Sequence, residues 1–420
     1  MSLTGVTFWI VYIAGVCGAL LNPILGVALY VLVYHVNPET QWWGGAVREL
    51  GLRCSLIVAV ATGAGMLLRP AALLHGARQF PAPYVLAILF GLVALASLGW
   101  GVGVSERGAY QAEKFVKLMI ILFILLRCVR TPAHYQLVVL AWLAGVTYLG
   151  YQASGGVGRS ASGRLTSGIG GPDFEDSSGL AAHLIATLPL IGAMFFMCRT
   201  WLGRGLTLVT GALAVNTLVM TRTRNAVVGL VVVVFATLLG LPRGYRLKGF
   251  AAALVGTLLA VQLTDPAWWQ RMRTIAQYET DASATGRLAF WRAAVQMACD
   301  HPLGIGLGNF HQTVMEYIPD LTIERSAHST VIACLAELGW GGLFLFVLIV
   351  VAVLLRLAGV RRAARGVPDF QDVRVLTRPA RFHLGWHALA LRAGLLGYLA
   401  CALFTTRLFA EDFWLLIGLS

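Results

Sequence analysis

Seven polar residues in an otherwise apolar chain have types and spacing suited to chemistry. Arg159 and Arg164 share one hydrophilic stretch. Arg222 and Arg224 sit in the tight sequence Thr221-Arg222-Thr223-Arg224-Asn225. Arg287 and Arg292 flank an amphipathic segment, and His328 stands in Arg325-Ser326-Ala327-His328-Ser329-Thr330, just before a long apolar run. Guanidinium groups bind phosphate oxygens in bidentate fashion. A histidine at a helix start feels the positive end of the helix dipole, which disfavours imidazolium and leaves a neutral base able to take a proton from a hydroxyl. Each arginine alone is accounted for by an acid such as Asp173, Glu175 or Asp176, or by snorkelling to lipid head groups. Three separate elements carrying cations to one face point instead to a bound phosphate or pyrophosphate, with arginine neutralising charge in place of a metal. No metal site and no cofactor are expected. Nothing resembles a phosphate-binding P-loop, a His/Cys cluster or an Asp-x-Asp pair in an outer loop.

Glu337 is the one acid deep in a predicted span. It follows His328 by nine residues, about two and a half helical turns, and so lies on roughly the opposite face. An ionisable group inside a membrane is a functional candidate by default, but a structural partner for an arginine or a helix end is the stronger reading of Glu337. His301, before Pro302, and His311, after a glycine-rich turn, have adequate local explanations.

The elements that must position these residues are membrane helices. The 420 residues are 58% hydrophobic and only 12% charged, with a mean hydropathy of +0.75. Soluble domains carry about 25% charged residues, and a spanning helix needs about 20 mostly apolar ones. An all-α polytopic membrane protein follows, of about twelve helices, at 3–21, 24–36, 52–69, 81–100, 115–130, 134–152, 176–198, 203–220, 225–241, 248–263, 330–356 and 388–408. The first two share Asn22-Pro23 and are either two spans or one broken helix. A soluble enzyme is excluded, and so is a β-barrel, whose strands would alternate in polarity. The seven cysteines, without a CxxC, read as small core residues. The N-terminal run lacks a basic leader, so a retained first helix is expected.

The net charge of +13 comes mostly from arginines in short loops, where cations set topology rather than bind nucleic acid. The stretch 357–391 has six arginines against two aspartates and reads as a basic cytoplasmic loop. The insertion 264–329 has five arginines against seven acids and reads as a periplasmic loop subdomain within a single transmembrane domain. Inside it, Leu288, Trp291, Ala294, Val295 and Ala298 repeat at helical spacing and predict a helix over 285–300. His301-Pro302 ends that helix, and Gly304, Gly306 and Gly308 predict a flexible turn.

Four segments together resemble the bacterial O-antigen ligase and polymerase superfamily. They are Arg164-Leu165-Thr166-Ser167-Gly168 leading to Asp173–Leu180; Thr223-Arg224-Asn225-Ala226; Gly286-Arg287-Leu288-Ala289-Phe290-Trp291 with His301–Gly308; and Ala327-His328-Ser329 with Leu335-Ala336-Glu337-Leu338-Gly339. The resemblance covers about residues 160–356. Where the family has Ser-Arg-Gly-Ala, this chain has Thr223-Arg224-Asn225-Ala226, which leaves Arg222 as a rival to Arg224. Asn37-Pro38 with Trp42-Trp43 is similar to a subgroup of O-glycosylation ligases associated with exosortase systems.

The resemblance implies a glycosyltransferase of the bacterial inner membrane, with its active site facing the periplasm. It would move a glycan from undecaprenyl pyrophosphate to a hydroxyl acceptor. Lipid A-core oligosaccharide is the leading acceptor; another repeat unit or a protein side chain are the alternatives. In that scheme His328 is the base, and Arg164, Arg224 and Arg287 hold the donor pyrophosphate. Arg222, Arg292 and Glu337 support them. Pyrophosphate is already a good leaving group, so arginines that neutralise it and one base suffice, and attack opposite the leaving group inverts the anomeric centre. Two other classes compete. A transporter of an anionic or lipid-linked sugar would concentrate ionisable residues at mid-membrane in related halves, and a membrane scaffold gives no reason for the clustering of arginine and histidine.

Overall fold

The computed structural model describes residues 2–69, 80–166, 169–174, 176–273, 282–318, 321, 323–364, 371–376 and 378–420, with backbone alone at 282–285, 378 and 379. Ser167, Gly168, Glu175, Glu279, Asp281, Asp320, Arg365 and Asp369, which entered the motif and charge arguments, lie outside the described residues.

Apolar runs become helices, and polar capping residues mark several of their starts. In the first third, α1 (Leu3–Leu21), α2 (Pro23–Val36), α3 (Gly45–Glu49), α4 (Cys54–Leu67), α5 (Ala82–Trp100) and α6 (Glu106–Cys128) follow one another. The middle of the chain forms α7 (Pro132–Ser154), α8 (Ser177–Met197), α9 (Trp201–Thr221), α10 (Arg224–Gly240) and α11 (Arg243–Gln262). Then come α12 (Pro266–Arg273), α13 (Ala282–Asp300), α14 (Phe310–Tyr317), α15 (Thr330–Ala363), α16 (Leu384–Ala402) and α17 (Glu411–Leu419). Ser105 Oγ accepts from Gly108 N at the start of α6, and Thr131 Oγ1 from His134 N at the start of α7. Asn22 is extended, at φ −146° and ψ 101°, and Pro23 opens α2, so the first apolar stretch forms two helices.

The chain is an all-α polytopic membrane protein. Among the described residues, α1, α5, α7, α8, α9, α11 and α15 are long and apolar enough to span a bilayer, and α4 and α10 are shorter apolar helices. The core centres on α8, which packs against α9, α10 and α16, while α2 packs on α7 and α4. Trp142, Leu180 and Tyr398 are among its fully buried side chains. The periphery is the reverse: α11 has no buried residue, and its Leu254, Leu258 and Leu259 are exposed. Such a helix, apolar all round, is solvated by lipid.

One irregularity organises the half of the molecule with the polar candidates. The apolar run after His328 forms one long helix, α15, interrupted at Gly339 (φ 65°, ψ −168°). Glycine adopts this conformation without a Cβ penalty. The break frees the carbonyls of Ala336 and Glu337, and amides of the glycine-rich turn take them: Ile305 N donates to Ala336 O at 2.9 Å and Gly306 N to Glu337 O at 3.0 Å. Trp340 N donates in return to Pro302 O. On its other side the turn is stitched to the start of the 101–108 connection through Val102 N to Ile305 O at 2.9 Å and Asn309 Nδ2 to Gly103 O at 2.7 Å. The turn expected to be flexible is therefore pinned on both sides, because buried backbone groups must find partners. Gly304, at φ 90°, lies against the Glu337 backbone with no space for a Cβ.

The described parts of the basic stretch 357–391 form regular elements. Helix α15 runs on to Ala363, β1 (Gln371–Val375) pairs antiparallel with β2 (Arg378–Phe382), and α16 begins at Leu384. Arg199 reaches Asp372 at 3.0 Å, and Gln136 Nε2 donates to Arg381 O, which ties the hairpin to the bundle.

Candidate functional site

The polar candidates gather around the N-terminus of α8. Asp176 caps that helix, its Oδ1 accepting from Ser178 N and Gly179 N at 2.7 Å each. Next to it, Arg164 donates from Nη2 to Ser177 Oγ and from Nε to Thr221 O, both at 3.1 Å. One guanidinium thus bridges the start of α8 and the end of α9. Burial, followed by the neighbouring Arg222 guanidinium, pulls the pKa of Arg164 down. Both guanidinium groups carry like charge in a half-buried setting, which attracts an anion.

Arg222 ends α9 in the left-handed region, at φ 49°, and its guanidinium pairs with Asp265 just before α12. Thr223 then lets the chain re-enter a helix at Arg224. Asn225, the departure from the family pattern, is buried and points Nδ2 at Ser178 O at 3.4 Å, which brings the start of α10 against the same end of α8. Arg224 is half-buried there.

Histidine 328 reaches the cluster from the other side. Its backbone is left-handed, at φ 47°, a conformation that costs a non-glycine residue energy and that neighbours must enforce. Two anchors enforce it. Trp291 Nε1, from α13, donates to Ala327 O at 3.1 Å. On the following side Thr330 Oγ1 donates to Thr405 O and accepts from Arg407 N, each at 2.8 Å. Ala327 and Ser329 are buried while the His328 side chain between them is half-buried, with Nδ1 3.2 Å from Ser326 Oγ. Burial lowers the His328 pKa first, Arg287 and Arg325 lower it further, and Asp176 opposes them. Arg287 of α13 and Asp176 of α8 thus both lie within electrostatic reach of this imidazole, which is neutral at pH 7 and able to accept a proton.

Arg164 and Arg222 thus stand at the N-terminus of α8, with the half-buried Arg224 following on α10, and His328 lies within electrostatic reach of Arg287 and of the helix cap Asp176. Two supporting candidates stand apart. Arg292 is exposed on α13. Glu337 is buried beneath the glycine-rich turn, faced by the backbone N–H groups of Gly308 and Phe310, where it anchors the turn. Arg159 is held by local contacts, from Nε to Ala153 O at 3.0 Å and from Nη2 to Met220 Sδ. His311, set aside on sequence grounds, lies near the site: burial, Arg107 and His328 together depress its pKa to about 4, and its buried Nδ1 meets no partner among the described residues.

Sequence reasoning missed the platform beneath His328. Arg407 is buried and donates from Nη2 to Asp412 Oδ1 at 2.9 Å and from Nε to Tyr398 OH at 3.0 Å. It also bonds Asp173 O. The Asp173 carboxylate takes Lys114 Nζ at 2.5 Å, Tyr34 OH at 3.1 Å and Glu411 N at 2.9 Å. Asp412 Oδ2 faces His183 Nδ1 at 3.4 Å, His183 Nε2 meets His35 Nε2 at 3.1 Å, and His35 Nδ1 meets Val31 O at 2.7 Å. A carbonyl can only accept, so His35 donates from Nδ1 and accepts at Nε2, and His183 donates from Nε2. The available signal was Arg407 and Asp412 standing five residues apart in an apolar tail, since charges in such surroundings require partners.

Residues 209–347, about a third of the chain, match the family model described as O-antigen ligase. Over this stretch the chain is similar to the O-antigen ligase family, which supports a place in that superfamily. The match takes in Arg222, Arg224, Arg287, His328 and Glu337, together with the break in α15, and leaves Arg164 outside. O-antigen ligase-type proteins transfer glycans between lipid-linked donors and acceptors, and a multi-pass membrane protein with this domain is of that glycan-transferring class. No curated protein matches the chain.

Proposed function

We propose that the protein transfers a glycan from undecaprenyl pyrophosphate to an acceptor hydroxyl at the periplasmic face of the bacterial inner membrane, with lipid A-core oligosaccharide as the acceptor. What supports this reading is that Arg164 bonds Ser177 at the N-terminus of α8, while His328 lies within electrostatic reach of Arg287 and of Asp176, the cap of that helix. Arg164, Arg224 and Arg287 bind the pyrophosphate, and the helix end adds its own attraction for an anion. His328 takes the proton of the acceptor hydroxyl. That oxygen attacks the anomeric carbon, the bond from carbon to the pyrophosphate oxygen breaks, and undecaprenyl pyrophosphate leaves with the electron pair. The anomeric centre inverts, and the arginines stabilise the charge that develops on the leaving group. Arg222, tied to Asp265, orients the turn that presents Arg224.

Purified protein mixed with lipid-linked glycan and, in parallel, lipid A-core, a second lipid-linked unit or a hydroxyl-bearing peptide tests the reading directly. New glycosidic product on lipid A-core alone supports it. Product on one of the other two acceptors reassigns the acceptor while keeping the donor chemistry, and movement of intact lipid-linked glycan across a vesicle membrane without product replaces the transferase by a transporter.

A further inference from the structure

A full helix length from His328, at the far end of α15, lies a cavity of about 460 Å³. It opens between the start of α7, the last turns of α15, the first turns of α16 and the β1–β2 hairpin. Two of its polar side chains have no counterpart. His387 is 2% exposed, and neither ring nitrogen has a hydrogen-bond partner among the described residues; the buried hydroxyl of Tyr135 also lacks one. The two rings meet edge to face at 4.7 Å, and Phe382 stacks on His387 at 5.0 Å, so both are held firmly in the cavity wall. A neutral imidazole offers one donor and one acceptor and a phenol offers both. Leaving three such atoms buried without partners is costly and rare.

The rest of the lining indicates what would satisfy them. Arg130 and Arg356 stand exposed at the rim, Arg356 donating from Nε to Ser420 O at 3.2 Å, and among the described residues no aspartate or glutamate lines the cavity. Leu357, Val360, Leu391 and Leu419 supply an apolar wall. Helix ends of a spanning bundle lie at head-group depth, where basic pockets between helices select anionic lipid. We propose that this cavity binds an anionic phospholipid: its phosphate between Arg130 and Arg356, its polar head-group atoms on Tyr135 and His387, and an acyl chain along the leucines. This site is separate from the transfer chemistry, and its test does not depend on that reading.

The full-length protein in a zwitterionic detergent is melted with phosphatidylglycerol, phosphatidylcholine or inorganic phosphate added. Phosphatidylglycerol is expected to raise the melting midpoint and the other two to leave it unchanged. The double variant Arg130→Gln/Arg356→Gln should melt like the wild type without lipid and lose the response, needing at least tenfold more phosphatidylglycerol for the same shift. His387→Phe, which keeps the ring stack, should weaken the response severalfold. An equal response in wild type and the double arginine variant overturns the proposal. An equal response to inorganic phosphate overturns the lipid assignment in favour of a simple anion site. If the double variant does not fold, native mass spectrometry of the wild type decides: retention of phosphatidylcholine as strongly as phosphatidylglycerol overturns the proposal.

Discussion

Two groups of arginine, histidine and aspartate meet on either side of Thr330, and they are built oppositely. Beneath it, Arg407, Asp412 and Tyr398 are buried and bonded to one another, with His183 facing Asp412 at 3.4 Å, and one carboxylate oxygen of Asp412 accepts from Arg407, from Tyr398 and from Phe413 N. Above it, among the described residues, Arg164 shares its donors with one hydroxyl and one carbonyl, and the His328 ring bonds Ser326. The same residue types serve as structure where charges satisfy each other and as a candidate site where they are held apart. Thr330 joins the two, so the rigid group fixes the backbone from which His328 projects.

The largest expected effect tests the upper group. His328→Gln keeps a hydrogen-bonding side chain but cannot take a proton, so transfer should fall roughly 10²–10⁴-fold, with donor binding retained. Near-normal turnover in this variant would leave His328 a positioning residue. Asp412→Ala attacks the lower group by leaving Arg407 buried and unpaired, at a cost of about 3–5 kcal/mol. Its signature is loss of monodisperse protein at moderate temperature; a normally stable but inactive protein would contradict the division between the groups. Arg164→Lys, Arg224→Lys and Arg287→Lys should fold normally. Each should weaken donor binding by roughly 10–100-fold, because a hydrogen bond to a charged group is worth about 1.5–3 kcal/mol. Unchanged donor affinity in all three would empty the upper group of its proposed role.

The smallest effect concerns pH. The His328 pKa is lowered in the folded protein, so the imidazole is neutral above it, and the rate should hold until pH drops through a value below 6.5 and then decline. Arg325→Gln removes one of the positive neighbours that lower that pKa. The acid limb should therefore move to higher pH, and only slightly, because Arg325 is exposed and screened by solvent. A pH–rate profile of both proteins measures the shift, and movement in the opposite direction would separate the limb from His328.

How much of this was legible in the sequence follows from what each feature depends on. The helices were, because an apolar run of span length has one outcome in a bilayer. The candidate arginines were as well, since a cation beside an apolar run stands out. Their partners were not: Arg222 meets Asp265 and Asp173 meets Lys114 across 43 and 59 residues, and local patterns do not encode such separations. The break at Gly339 hid inside an unbroken apolar run, and its cause lies at Ile305 and Gly306, in another element. The hairpin at 371–382 was obscured because a basic composition predicts loop position more readily than strand pairing.

The seam between the glycine-rich turn and the broken helix has a genetic consequence. At Gly304 and Gly339 an added Cβ would meet main-chain atoms, of Glu337 in one case and of Pro302 and Leu303 in the other. No rotamer change in a neighbour can make room, and both backbones are left-handed. In a library randomised at these two codons and selected for a working protein, glycine alone should survive at both, whatever acceptor the selection uses. The pair then serves as an internal standard for the stringency of any such selection, against which enrichment at Arg164, Arg224, Arg287 and His328 can be read.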